Sequence, residues 1–135
     1  VKMSKPNARV ILITGDGALG LSPGLTPLET AIDREIPITV VVANNAKWGM
    51  IDEQQAAMWG ETYATSLRDV NYSEIFKGAG AHAELVTEAP KIEIALKNAS
   101  VKNRLLPSFI EVKTLSTPSP ITQGLVEMRV RTAIE

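Results

Sequence analysis

The chain reads as an α/β domain of three layers, with helices on both faces of a mainly parallel sheet, and three observations carry that prediction. Val10-Ile11-Leu12-Ile13-Thr14 and Ile38-Thr39-Val40-Val41-Val42-Ala43 are short, rich in β-branched residues and unalternating, as strands buried on both faces of a parallel sheet are. Between them Thr26-Pro27-Leu28-Glu29 reads as a helix start, with Thr26 as N-cap, Pro27 at the first helical position and Glu29 closing a capping box. Each apolar run also stops abruptly, the first at Gly15-Asp16-Gly17 and the second at Asn44-Asn45. Together these make one β-α-β unit.

Taken in order, Val1-Lys2-Met3-Ser4-Lys5-Pro6-Asn7 reads as a helix end running into a turn, ahead of the first strand. Ser22, Pro23 and Gly24 delay the next helix until about Pro27. After the second strand, residues 51–60 contain good helix formers, with Ile51, Gln54, Gln55 and Met58 on one face. The pair Gln54 and Gln55 reads as an ordinary polar face. Residues 61–70, polar and weakly periodic, read as a mobile loop facing the site. Asn71 caps a short helix through Ile75 and Phe76, ended by Gly78 and Gly80. His82 opens a strand over residues 83–86; as the only histidine, without a visible partner, it reads as structural or exposed. Thr87 caps a helix with Pro90 in its first turn and Ile92, Ala95, Leu96 and Ala99 on one face, ended by Asn103, Arg104 and Pro107. The last strand, residues 108–113, alternates polar and apolar residues, which predicts a place nearer the sheet edge. Two prolines break residues 116–120, and the tail reads as a short helix over Leu125, Met128 and Val130. Residues 1–120 are thus one domain and 121–135 a C-terminal tail.

Composition excludes several classes. A length of 135 residues allows one domain with a single core. A net charge of −1 offers no electrostatic handle for nucleic acid or an anionic membrane. With no cysteine there are no disulfides or thiolate metal sites, which is compatible with a cytoplasmic protein. No apolar run approaches the length of a bilayer span.

The loops at the ends of the two runs carry the chemistry. A crossover connection puts the carboxyl ends of parallel strands on one edge, where open α/β sheets bind ligands. Asp16 and Asn45 therefore meet there, one offering an anionic oxygen and the other an amide oxygen. That pair suits Mg²⁺, which prefers oxygen ligands and shares its shell with phosphates. Gly15 and Gly17 allow a sharp turn and close approach of backbone N–H groups to an anion. A Gly-Asp-Gly also ends many ordinary turns and an Asn pair many loops. Gly15-x-Gly17-x-x-Gly20 matches the dinucleotide fingerprint as well. That pattern requires a helix beginning within the glycines and an acidic residue after the second strand; here the helix is delayed and the strand ends in two amides.

Gly15-Asp16-Gly17, followed after 26 residues by Asn44-Asn45, resembles the cofactor-binding signature of thiamine diphosphate-dependent enzymes. The resemblance implies that Asp16, Asn45 and the main-chain carbonyl of Lys47 hold Mg²⁺ bridging the cofactor's phosphates. It also implies that the backbone at Gly17, Ala18 and Leu19 lies against the diphosphate; many family members have Ser in place of Ala18. Asn-Asn, three residues, then Gly49-Met50 is similar to the acetolactate (acetohydroxyacid) synthase branch, although Gln54 stands where those synthases usually have Trp. In that branch Gly49 relieves crowding near the diphosphate and Met50 begins a wall beside the thiazolium. On composition alone Trp48 and Met50 read as core residues.

The chain opens on Val, and the family's glycine- and methionine-rich helix and the pyrimidine-binding domain with its catalytic Glu are not in it. This predicts a piece of a larger enzyme, one that completes its site with that domain on the same or another chain, in a homo-oligomer. No residue here reads as a proton-transfer catalyst. The resemblance implies decarboxylation of a small 2-oxo acid and carboligation, as in branched-chain amino acid biosynthesis. Another thiamine diphosphate chemistry, such as a 2-oxo acid decarboxylase or a flavin-containing pyruvate oxidase, a non-catalytic α/β binding module and a dinucleotide-binding oxidoreductase domain are the alternatives.

Overall fold

The computed structural model describes residues 1–20, 26–102, 105–117, 120, 122 and 124. Its elements are β1 (Ile11–Gly15), α1 (Asp16–Gly20), α2 (Thr26–Asp33), β2 (Thr39–Asn44), α3 (Gly49–Trp59), α4 (Tyr72–Gly78), β3 (His82–Val86), α5 (Lys91–Lys102) and β4 (Ser108–Lys113). The four strands form one parallel sheet in the order β1-β2-β4-β3. Pairing of Gly15 with Ala43 brings the ends of β1 and β2 to the same edge.

Alternation along the strands sorts side chains to two faces. On one face Leu19 of α1, Leu28 of α2 and Phe76 of α4 pack with Val40, Val42, Ala83 and Phe109. The rings of Phe76 and Phe109 stack with centroids 3.7 Å apart. On the other face Ala95 and Ala99 of α5 pack against Val86 and Ile110. Helices on both faces of a parallel sheet make the three-layer α/β arrangement that the β-branched runs predict.

Four local expectations are corrected. β4 is an interior strand, between β2 and β3, and not near the edge. Its polar residues are buried with partners: Ser108 is inaccessible, and Glu111 is 1% exposed yet bonded to three donors. Alternation there records a buried polar network rather than a wet face. β1, expected to be covered on both sides, is an edge strand with Ile11 at 56% and Ile13 at 74% exposure. On that side of the sheet α5 makes its main contacts with β3 and β4. A helical turn begins at Asp16, inside the glycines, where the sequence predicts none before Pro27. Finally, α5 starts at Lys91 after a turn over residues 88–90, so that Pro90 precedes the helix.

The cap at Asn71 is present: its side-chain oxygen accepts the Glu74 N–H at 3.2 Å. Residues 61–70 are tied down along part of their length, for Trp48 N–H donates to the Thr65 carbonyl and Leu67 N–H to the Ala46 carbonyl, each at 2.8 Å. His82 has a partner that sequence did not reveal, Glu84 two residues along the same strand face, at 2.9 Å. The helix expected over Leu125, Met128 and Val130, and the stops at Asn103 and Arg104, lie outside the described residues. Among the described residues no helix is long and apolar enough to cross a membrane.

Candidate functional site

β1 and β2 end side by side, and the turns that leave these two strands shape the site. Asn44 and Asn45 each fold back on the chain: Asn44 Oδ1 accepts from Ala46 N–H at 3.0 Å and Asn45 Oδ1 from Lys47 N–H at 3.1 Å. Two such side-chain turns in succession replace strand pairing and drive the chain off the sheet. Ala46 takes φ +54°, a left-handed conformation that costs an alanine about 1–2 kcal/mol. The local bonds hold that strain in place.

Asn44 is in turn held from below. Its Nδ2 donates to Glu111 Oε1 at 2.7 Å and to the Val70 carbonyl at 3.0 Å. The same Glu111 carboxylate accepts Ser73 N–H at 2.8 Å and the Lys113 ammonium at 2.8 Å. Burial alone would lower Lys113, but the Asp69 and Glu111 carboxylates outweigh it and hold the ammonium above its ordinary value. Tyr72 is pushed above the ordinary phenol value by burial and by the negative charges of Asp16 and Glu111, partly opposed by Lys113.

A cavity of about 450 Å³ opens at this edge, lined by Gly15, Asp16, Gly17, Ala18, Ala43, Asn45, Lys47, Trp48, Gly49, Met50, Ile51 and Thr114. Nine of the ten residues singled out from sequence are in that wall. The tenth, Leu19, turns its side chain into the core at 4% exposure. Sequence reasoning missed Ala43, Ile51 and Thr114. Thr114 follows β4 and bonds through its N–H to the Asn44 carbonyl at 2.9 Å, a position visible only once β4 is interior.

The glycines act differently from expectation. Neither Gly15 nor Gly17 takes a positive φ. A Cβ at Gly17 would stand 2.9 Å from Trp48 Cε3, so the missing side chain makes room for the indole. A Cβ at Gly49 would stand 2.8 Å from Asn45 Nδ2, so Gly49 relieves crowding against the Asn45 amide. Met50 is not core: it is 64% exposed and stands at the cavity wall. Gln55 is more than a polar face, since its Oε1 accepts Tyr63 N–H at 2.7 Å.

Asp16 is the electrostatic centre of the wall. It is 3% exposed, and among the described residues nothing donates a hydrogen bond to its carboxylate. A buried carboxylate without donors is costly unless a cation completes it. Asn45 Oδ1 has one acceptor position left beyond the Lys47 N–H, and among the described residues nothing donates to the Lys47 carbonyl. One carboxylate, one amide oxygen and one carbonyl on this wall are hard-oxygen donors of the kind Mg²⁺ prefers. Among the described residues no cluster of three or more His, Cys, Asp or Glu competes as a metal centre.

Beside this wall Asp52 of α3 takes the Lys47 ammonium on Oδ2 at 2.9 Å and the Thr65 hydroxyl on Oδ1. The Thr65 bond and then the Lys47 bond hold its carboxyl below the ordinary aspartate value, against burial. Nothing in local sequence marks this clasp, because Thr65 lies in a stretch without periodicity.

Comparison with known proteins gives three kinds of match. The family model described as thiamine pyrophosphate enzyme, C-terminal TPP binding domain, matches residues 1–112. An acetolactate synthase large subunit from Mycobacterium tuberculosis is 31% identical over 114 residues, 84% of this chain and 20% of that protein. The 2-hydroxyacyl-CoA lyase 2 of Homo sapiens is 33% identical over 86 residues, 64% of this chain and 13% of that protein. Among solved structures, a thiamine diphosphate-dependent 4-hydroxybenzoylformate decarboxylase from Rhodococcus jostii RHA1 superposes with a TM-score of 0.76 at 26% identity, covering 87% of this chain and 22% of that one. The chain thus spans about a fifth of the length of the acetolactate synthase relative.

Proposed function

Because the chain belongs to the thiamine pyrophosphate enzyme family, within its C-terminal TPP binding domain, we propose that it holds thiamine diphosphate through Mg²⁺ as part of an acetolactate synthase-like carboligase. The observation that supports this most directly is Asp16, a buried carboxylate without hydrogen-bond donors among the described residues, on one cavity wall with Asn45 and Lys47. Asp16 supplies the single negative charge of the donor set. Asn45 and the Lys47 carbonyl supply neutral oxygens whose directions the turn after β2 fixes. When bound, the cofactor supplies the electron sink for decarboxylating a small 2-oxo acid. This chain's share is to orient the cofactor and neutralise the charge of its phosphates.

The carboligase reading draws on the synthase relative and on Asn44-Asn45 with Gly49-Met50. A second reading, lyase or decarboxylase chemistry on another 2-oxo acid or acyl substrate, draws on Gln54 in place of the synthases' usual Trp and on the lyase and decarboxylase matches. In either reading a pyrimidine-binding domain with a catalytic Glu, on the same or another chain, completes the site, in a cytoplasmic homo-oligomer.

Asp16→Asn tests the site. It keeps the volume and removes the charge, so the metal-free chain is expected to melt at the same temperature or higher. The stabilisation that Mg²⁺ and thiamine diphosphate together give the parent chain is expected to vanish. A variant that keeps the full Mg²⁺-dependent thermal shift rules out Asp16 as the metal's anionic ligand.

A further inference from the structure

Resting on the reading of the site above, we propose that Asp52 and Thr65 are positioning residues, which aim the Lys47 carbonyl at the metal through the loop that packs on it. One peptide unit links the loop to the ligand. The Trp48 N–H donates to the Thr65 carbonyl at 2.8 Å. A peptide unit is planar and trans, so the Lys47 carbonyl points opposite to that N–H, away from the Thr65 loop. On its other side Lys47 is held by its own N–H, bonded to Asn45 Oδ1 at 3.1 Å. The direction of the proposed metal ligand is therefore set by where the Thr65 carbonyl stands.

Asp52 sets that position. Thr65 is 4% exposed and its hydroxyl donates to Asp52 Oδ1, while Oδ2 takes the Lys47 ammonium at 2.9 Å. Asp52 itself is anchored in the first turn of α3, where its N–H bonds to the Trp48 carbonyl at 2.8 Å. One carboxylate thus closes three segments: the turn after β2, the start of α3 and the loop at Thr65. A Leu67 N–H bond to the Ala46 carbonyl and the antiparallel bridge of Lys47 with Ser66 keep that loop in register. The ion pair has a second effect. It draws the Lys47 ammonium to a carboxylate of opposite charge, so the residue whose carbonyl faces a dication does not present a bare cation to it.

The test uses Thr65→Val, which removes the hydroxyl at constant shape, with Asp52→Asn as an independent second variant and Thr65→Ser as the conservative rescue. Circular dichroism and melting confirm folding at the working temperature. Calorimetry then titrates Mg²⁺ at fixed thiamine diphosphate, and NMR follows exchange of the Trp48 amide in the metal-free chain. T65V and D52N are expected to need about 10- to 100-fold more Mg²⁺, the usual cost of losing a group that orients a ligand. Both are expected to exchange the Trp48 amide faster, and T65S to return to the parent's behaviour on both counts. T65V with the parent's Mg²⁺ requirement, or slow exchange at Trp48 in both variants, overturns the positioning role. If the parent, together with its pyrimidine-binding domain, takes up no thiamine diphosphate with Mg²⁺, the reading of the site falls and this role with it. Equal binding by parent and variants overturns this role alone.

Discussion

Gly17→Ala is expected to displace the Trp48 indole, and the structure allows the size of the effect to be worked out. The added Cβ meets Trp48 Cε3 at 2.9 Å and Cζ3 at 3.3 Å. Relaxed carbon contacts lie at about 3.5–4.0 Å, so the ring or α1 must move by roughly 0.6–1 Å. Overpacking of this kind costs about 1–3 kcal/mol, whereas replacing a helical glycine by alanine returns up to about 1 kcal/mol. The balance is a loss of about 0–3 kcal/mol, or roughly 0–12 °C in melting temperature for a domain of this size. Gly20→Ala is the control, since it sits in the same short helix and a Cβ there meets nothing within 4 Å. It is expected to be neutral or slightly stabilising. The assay is Trp48 fluorescence in a Trp59→Phe background, because Trp59 is 64% exposed and its emission would otherwise mask the change. A G17A chain that melts at or above the parent, with Trp48 emission unmoved, would refute the contact on which the cavity wall depends.

Two further expectations concern the network under β2. Glu111→Ala leaves Asn44 Nδ2, the Ser73 N–H and the Lys113 ammonium without their shared acceptor. It should cost about 3–5 kcal/mol in chemical denaturation, and a loss under about 1 kcal/mol would show that the carboxylate does not tie these groups together. Lys113 gives the alkaline limit. Its folded pKa is raised by the Asp69 and Glu111 carboxylates in spite of burial, so its contribution is fully present below the unfolded value of 10.5 and is lost as pH rises through the folded value. The urea midpoint of the parent should therefore fall on that alkaline side, and Lys113→Met should flatten the fall; equal slopes would contradict the assignment.

Much of this site is legible in the chain because it is written locally. Gly15-Asp16-Gly17 and Asn44-Asn45 each come directly after a strand, and parallel pairing through a crossover leaves them one edge to share. Side-chain turns at Asn44 and Asn45 depend on neighbours two residues away. Loop chemistry of that range can be read without a fold. The exposure of β1 within this chain is not legible locally, because β-branched composition states what a residue tolerates, not which element covers it.

What the sequence by itself determined is the alternation of apolar runs with caps and glycines, and hence the α/β class, the parallel β1–β2 pair and the edge where Asp16 and Asn45 stand. Only the tertiary structure decided that β4 is interior, that Glu111 is the buried acceptor beneath Asn44, and that Asp52 clasps Lys47 to Thr65. Those bonds join residues 67, 38 and 13 positions apart. A charged residue in a strand or helix looks the same in sequence whether water or a buried donor satisfies it, and only packing brings the donor.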